Sequence, residues 1–139
     1  MTAKEYLTQY DSYKRKYKRY LSEYRSEAEV IRDIQKNLNT IPALKRREAE
    51  ERLKRVILFC NGLKDRTKES ACRMDEIQAM IESIPGLGGE ILQLRYIDGL
   101  IWEDVCERVF YSWNTVFKNH HEAMQMIEER LDIKQHRES

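Results

Sequence analysis

Proline is nearly missing from this chain, with 2 in 139 residues, and glycine is scarce at 5. Collagen-like repeats, Pro/Gly-rich disorder and long structureless loops are therefore excluded. No run of about 18 apolar residues exists, so no segment is expected to span a membrane. The opening stretch, MTAKEYLTQYDSYKRKYKRY, lacks the apolar core of a secretory signal. Charge of one sign is also lacking: 25 Lys+Arg stand against 24 Asp+Glu, a formal net charge of +1. What the chain does have is charge of both signs, 35% of its residues, beside 41% hydrophobic residues, the composition of long surface helices. The length suits one domain, or one small domain with an extension, and a cytoplasmic location is expected.

Cysteine is rare and odd in number: Cys60, Cys72 and Cys106, with no CxxC. A structural zinc site needs four ligands in close pairs. His120 and His121 are adjacent, so on a helix they point about 100° apart and cannot share a metal as an i, i+4 pair would. No metal site is expected, and the thiols read as free and buried along helices in a reducing compartment. GxSxG, P-loop and GxGxxG motifs are absent, and Gly86-Leu87-Gly88-Gly89 follows a helix rather than a strand. The chain is therefore expected to be no enzyme and to carry no cofactor.

The first segment holds one rhythm. Tyr6, Tyr10, Tyr13, Tyr17, Tyr20 and Tyr24 step by 4, 3, 4, 3, 4, and Ile31, Ile34 and Leu38 continue it. A period near 3.5 residues marks a helix with a packed seam. Asn37 to Thr40 weaken this helix, and Pro42 suits the first turn of the next. There, Leu53, Val56, Cys60, Leu63, Thr67, Ser70, Met74, Ile77, Ile81 and Ile84 again step by 3 and 4. Gly62 weakens the second helix and marks a close contact. Helices over about 3–38 and 43–84 should fold back as an antiparallel, coiled-coil-like hairpin, residues 1–84. Six tyrosines leave much aromatic surface for one hairpin to cover, so a homodimer or higher homo-oligomer through residues 1–84 is expected. Lys14, Arg15, Lys16, Lys18 and Arg19 read as a solvated flank of that seam, with phosphate contact as the rival reading.

Pro85-Gly86-Leu87-Gly88-Gly89 is the clearest breaker and is expected to be a hinge between two domains, 1–84 and 85–139. Beyond it the pattern shortens. Leu92, Leu94 and Ile97 precede the Asp98-Gly99 turn. Trp102, Val105, Cys106 and Val109 give one apolar face of about two turns. Ser112 is an N-cap for a last helix over 112–131, with Val116, Ala123, Ile127 and Leu131 inward. Lys134 to Ser139 read as a frayed polar tail. The whole chain is thus expected to be all-α, and residues 90–131 run in helix-turn-helix order, the last helix being offered to the DNA major groove.

At these residues, EILQLRYIDGLIWEDVCERVFYSWNTVFKNHHEAMQMIEERL, the chain resembles region 4 of bacterial RNA polymerase sigma factors. The likeness lies in the L-R-Y-x-x-G-L-x-W run and the Ser before the last helix. Taken whole, the chain is similar to phage-encoded, sigma-like transcription regulators of the ArpU/RinA kind. The resemblance implies a sequence-specific regulator of transcription in a bacterial host cytoplasm. Its partners would be double-stranded DNA and RNA polymerase. The implied DNA contacts come from Ser112, Trp113, Asn114, Phe117, Lys118 and His121. The residues themselves agree: with Val116, Ala123 and Ile127 inward, positions 113, 114, 117, 118 and 121 lie outward. Asn pairs bidentately with adenine, Lys reaches guanine or phosphate, and an aromatic presses on a thymine methyl. Packing of Trp113 and Phe117 on another part of the protein is the competing reading.

The chain departs from the family pattern at two places. Ile101 stands where a Ser or Thr cap is usual, with Glu103 and Asp104 as compensation through the helix dipole. Phe110 stands where Gly usually turns, and Phe is strained in the left-handed conformation, so a differently built turn is expected. Charge also departs: residues 85–139 hold six bases, Arg95, Arg108, Lys118, Arg130, Lys134 and Arg137. Ten acids oppose them: Glu90, Asp98, Glu103, Asp104, Glu107, Glu122, Glu128, Glu129, Asp132 and Glu138. That acidic balance suits a polymerase- or protein-binding adaptor of weak DNA affinity. A phage DNA-packaging, small terminase-like subunit is a third reading, but there the DNA-binding part usually comes first.

Overall fold

The structure, a computed structural model, describes residues 1–138. It is all-α, as the patterning predicts. Helix α1 spans Ala3–Asn37 and α2 spans Ala43–Glu82, with a 3₁₀ turn at Leu38–Thr40 between them. Helix α3 (Gly86–Leu92) runs into a π-helical turn at Gln93–Ile97, followed by α4 (Trp102–Val109) and α5 (Trp113–Glu138). There is no strand among the described residues.

The chain forms two units. The first comprises residues 1–13 and 72–139, the second residues 14–71. The Pro85–Gly89 stretch thus lies inside the first unit. In this unit α1 begins with a reciprocal cap. The Glu5 amide donates to Thr2 Oγ1 at 3.1 Å, and the Thr2 amide donates to Glu5 Oε2 at 3.3 Å. The Thr2-x-x-Glu5 spacing is the capping-box signature of such a start. Ala3, Tyr6, Leu7 and Tyr10 then join Ile77, Ile81, Ile84, Leu92, Ala123, Ile127 and Leu131 in one core. Tyr6 and Tyr10 are buried, and the Tyr6 hydroxyl has no hydrogen-bond partner. A second core gathers Ile91, Leu94, Val105, Val109 and Val116 from α3, the π turn, α4 and α5.

The glycine-rich breaker is packed. Gly88 and Gly89 are both buried. A Cβ on Gly89 would lie 2.1 Å from the Ile84 carbonyl oxygen, and one on Gly88 would lie 3.0 Å from Ala123 Cβ. The glycines therefore serve close approach, and the expected hinge is replaced by a tight joint within one unit.

The second unit takes 14–37 of α1 and 43–71 of α2. Its side chains are mostly half-buried: Tyr17, Tyr20, Tyr24, Ile31 and Ile34 from α1, Leu53, Val56 and Thr67 from α2. Only Cys60, Leu63 and Ser70 are buried there. Cys60 Sγ lies 3.8 Å from the Tyr24 carbonyl, and the Arg66 guanidinium lies 5.9 Å from the Tyr20 ring. Burial pushes the Cys60 thiol pKa up, with Glu27 adding to the effect. Of the seam tyrosines, Tyr6 and Tyr10 are buried and Tyr13, Tyr17, Tyr20 and Tyr24 half-buried, so the chain itself covers part of the aromatic surface on which the assembly expectation rests. Two smaller expectations also change. Cys72 is exposed rather than buried. Gly62 has nothing within 4 Å of an added Cβ, so it marks open space and no close contact in this chain.

Candidate nucleic-acid interface

Helix α5 is placed by its inner face. Val116, Ala123, Ile127 and Leu131 are all buried, at the spacing read from the sequence. Ser112 caps the helix: its Oγ accepts from the Thr115 amide at 3.4 Å and lies 3.2 Å from Thr115 Oγ1. The helix extends past the expected end at 131 to Glu138, because no Gly or Pro interrupts DIKQHRE and His136 and Arg137 suit its C-terminal turn. The tail expected to fray is thus helical up to Glu138, and Ser139 lies outside the described residues.

Ser112, Trp113, Asn114, Phe117, Lys118 and His121 are all exposed. No acid falls between residues 111 and 121, where Lys118, His120 and His121 stand. The two aromatics are exposed and also pack against other rings. Trp113 is 46% and Phe117 40% exposed, yet their rings stack with centroids 5.3 Å apart. Phe117 also meets Trp102 of α4 at 5.0 Å. Asn114, Lys118 and His121 lie beyond this stacked edge, and the His121 ring is held by Gln125 at 3.3 Å.

His120 is the residue that sequence reasoning missed. Its ring meets Trp102 edge-on at 4.7 Å, and its Nε2 lies 3.0 Å from the Tyr96 hydroxyl. Arg95 lies over the Trp102 ring, 4.9 Å from its centroid, and donates to the Leu100 carbonyl at 2.9 Å. An unbroken row of rings therefore runs Trp113, Phe117, Trp102, His120, Tyr96. Burial holds the His120 imidazole pKa below its usual value, reinforced by Arg95, His121 and Lys4. The spacing Trp113, Phe117, His120 (i, i+4, i+7) was the available signal, since it sets three rings on one side of α5.

The turn before α5 is not built differently. Phe110 closes α4 in the left-handed conformation, φ 60° and ψ 35°, with its amide donating to the Cys106 carbonyl at 3.0 Å. The expectation that Phe would avoid this geometry is overturned: Phe110 takes it and bears the ordinary left-handed strain of its Cβ, with its ring 91% exposed. At the other end of α4, Ile101 makes no side-chain cap, and Glu103 and Asp104 occupy the first turn. With Glu107 they give α4 three exposed acids, of which Asp104 and Glu107 line a depression with Arg108 and Phe110.

No group of His, Cys, Asp and Glu among the described residues could hold a metal. No helix there is long and apolar enough to cross a membrane. Comparison with protein-family models, curated proteins and solved structures finds no match to the chain.

Proposed function

We propose that the chain is a sequence-specific, double-stranded DNA-binding regulator of transcription that reads the major groove with the first three turns of α5. The observation that carries this reading is the common exposure of Ser112, Trp113, Asn114, Phe117, Lys118 and His121 on a helix whose opposite face is fully buried. The helix-turn-helix order of α3, α4 and α5 supports it, as does the resemblance to sigma-like phage regulators. In this reading Asn114 and Lys118 contact bases, Trp113 and Phe117 form an apolar edge for thymine methyls, and Ser112 sets the helix start. Residues 1–84 act as the hairpin that assembles the regulator.

Selection of bound duplexes from a random pool at two salt concentrations tests the reading. An enriched motif is expected. Asn114→Ala should then lower specific affinity by about 1–3 kcal/mol and relax preference at one or two base pairs. Lys118→Ala should reduce the salt slope by about one unit if it meets phosphate. If both variants bind like the parent, the recognition-helix assignment is wrong. A second reading, an adaptor that binds RNA polymerase or another protein, is favoured by the exposed acids of α4, two of which line a depression with Phe110. No enriched motif together with polymerase capture would select it.

A further inference from the structure

The middle of α2 carries an apolar face that none of the described residues covers. Leu58 is 75% and Phe59 52% exposed, and the adjoining Ile57 is also exposed. Gly62 follows one turn later with open space where a Cβ would stand. Arg55, Leu58, Phe59, Gly62 and Arg66 line one shallow depression. Leu and Phe exposed together along one depression are costly to leave in water and point to a docking surface.

The arrangement about this apolar centre is self-complementary. Counting from the midpoint of Leu58 and Phe59, Arg55 lies as far before it as Gly62 lies after it. Glu51 and Arg66 are likewise equidistant, about 11 Å on either side at 1.5 Å per residue. A second α2 laid antiparallel about that midpoint would set each Arg55 stem over the partner copy's Gly62 space, with Asp65 one turn further on. It would also set each Glu51 opposite an Arg66. Large meets small, acid meets base, and both pairings occur twice, as a two-fold interface requires. All these residues lie within the second unit, and Glu51 and Arg66 are exposed. In the single chain Glu51 pairs with Arg47, an exposed i, i+4 partner, at 3.6 Å.

We propose that residues 51–66 of α2 form an antiparallel, two-fold interface with the same segment of a second copy of this chain. The contact replaces the tyrosine seam as the basis of assembly. It spans about 22 Å of helix, less than a standard interface, so a dissociation constant in the micromolar range is expected.

Sedimentation equilibrium of the full chain, from sub-micromolar to hundreds of micromolar, tests this. A monomer–dimer equilibrium is expected. Phe59→Ser and Gly62→Leu should each raise the dissociation constant at least tenfold while far-ultraviolet dichroism keeps its helical intensity, since neither site is buried in the single chain. Glu51→Arg alone and Arg66→Glu alone should each weaken the dimer similarly. The double variant, Glu51→Arg with Arg66→Glu, should recover most of the loss. A monomer throughout the range overturns the proposal. So does a dimer indifferent to Phe59→Ser and Gly62→Leu, which would place assembly elsewhere, and so does a double variant no better than its worse single. None of these readouts involves DNA, so they stand or fall apart from the recognition-helix assignment.

Discussion

Phe110 combines two unfavourable features. It holds a left-handed backbone that L side chains avoid at roughly 1–2 kcal/mol, and it leaves a large apolar ring in water. Glycine, the usual residue closing a helix in this way, would remove the steric part at some cost in unfolded-state entropy. Phe110→Gly should therefore stabilise the fold by about 1 kcal/mol, seen as a rise in Tm. A fall instead would mean that the ring makes a stabilising contact. His120 offers a second test at this scale. Its folded pKa is lowered, so as pH falls through the usual imidazole value the unfolded chain takes up the proton first. The stability contributed by neutral His120 is fully present above that value and is lost progressively below it, until the folded-state imidazole also titrates. Thermal melts from pH 8 to pH 5 should show this loss, and His120→Phe should flatten that part of the profile.

Among the elements, the joint between α2 and α3 is the least tolerant of change. A methyl on Gly89 would strike the Ile84 carbonyl, a backbone atom that no rotamer change can move. Gly89→Ala should destabilise the first unit by about 3 kcal/mol, whereas Gly62→Ala, in open space, should be neutral or stabilising; chemical denaturation compares the two. Helix positions were legible because both seams keep a strict 3-and-4 step: every seam residue from Tyr6 to Leu38 and from Leu53 to Ile84 is buried or half-buried. The five exposed candidates at 113, 114, 117, 118 and 121 follow from the same periodicity in α5. What glycine was doing was not legible. A Gly that breaks a helix and a Gly that admits a neighbouring backbone look alike until the neighbour is known, so Gly88-Gly89 read as a hinge and Gly62 as a contact. The π-helical turn at Gln93–Ile97 left no mark either, since QLRYI is ordinary helical sequence; its signature is the Asp98 amide reaching back to the Gln93 carbonyl at 3.0 Å.

At the scale of the molecule, burial is unequal between the units. The first holds both hydrophobic cores. The second has Cys60, Leu63 and Ser70 as its buried residues, one of them a serine. Amides of 14–71 should therefore exchange with solvent by local opening of lower free energy than those of α5 and the end of α2. Native-state hydrogen exchange on the monomer at low concentration measures this directly, and equal protection of both units would contradict it. If α2 pairs as proposed, raising the concentration should slow exchange in 51–66 first.

The row of rings has a spectroscopic consequence. The chain has two tryptophans, Trp102 and Trp113, and both stand in that row. Emission excited selectively in indole therefore comes from the first unit alone, since 14–71 holds Tyr17, Tyr20, Tyr24 and Phe59 but no tryptophan. One indole is half-exposed at the start of α5; the other is clasped between Phe117, His120 and Arg95. Without any label, then, the protein carries an optical probe whose outer member lies on the face proposed to meet DNA and whose inner member sits against the ionisable imidazole.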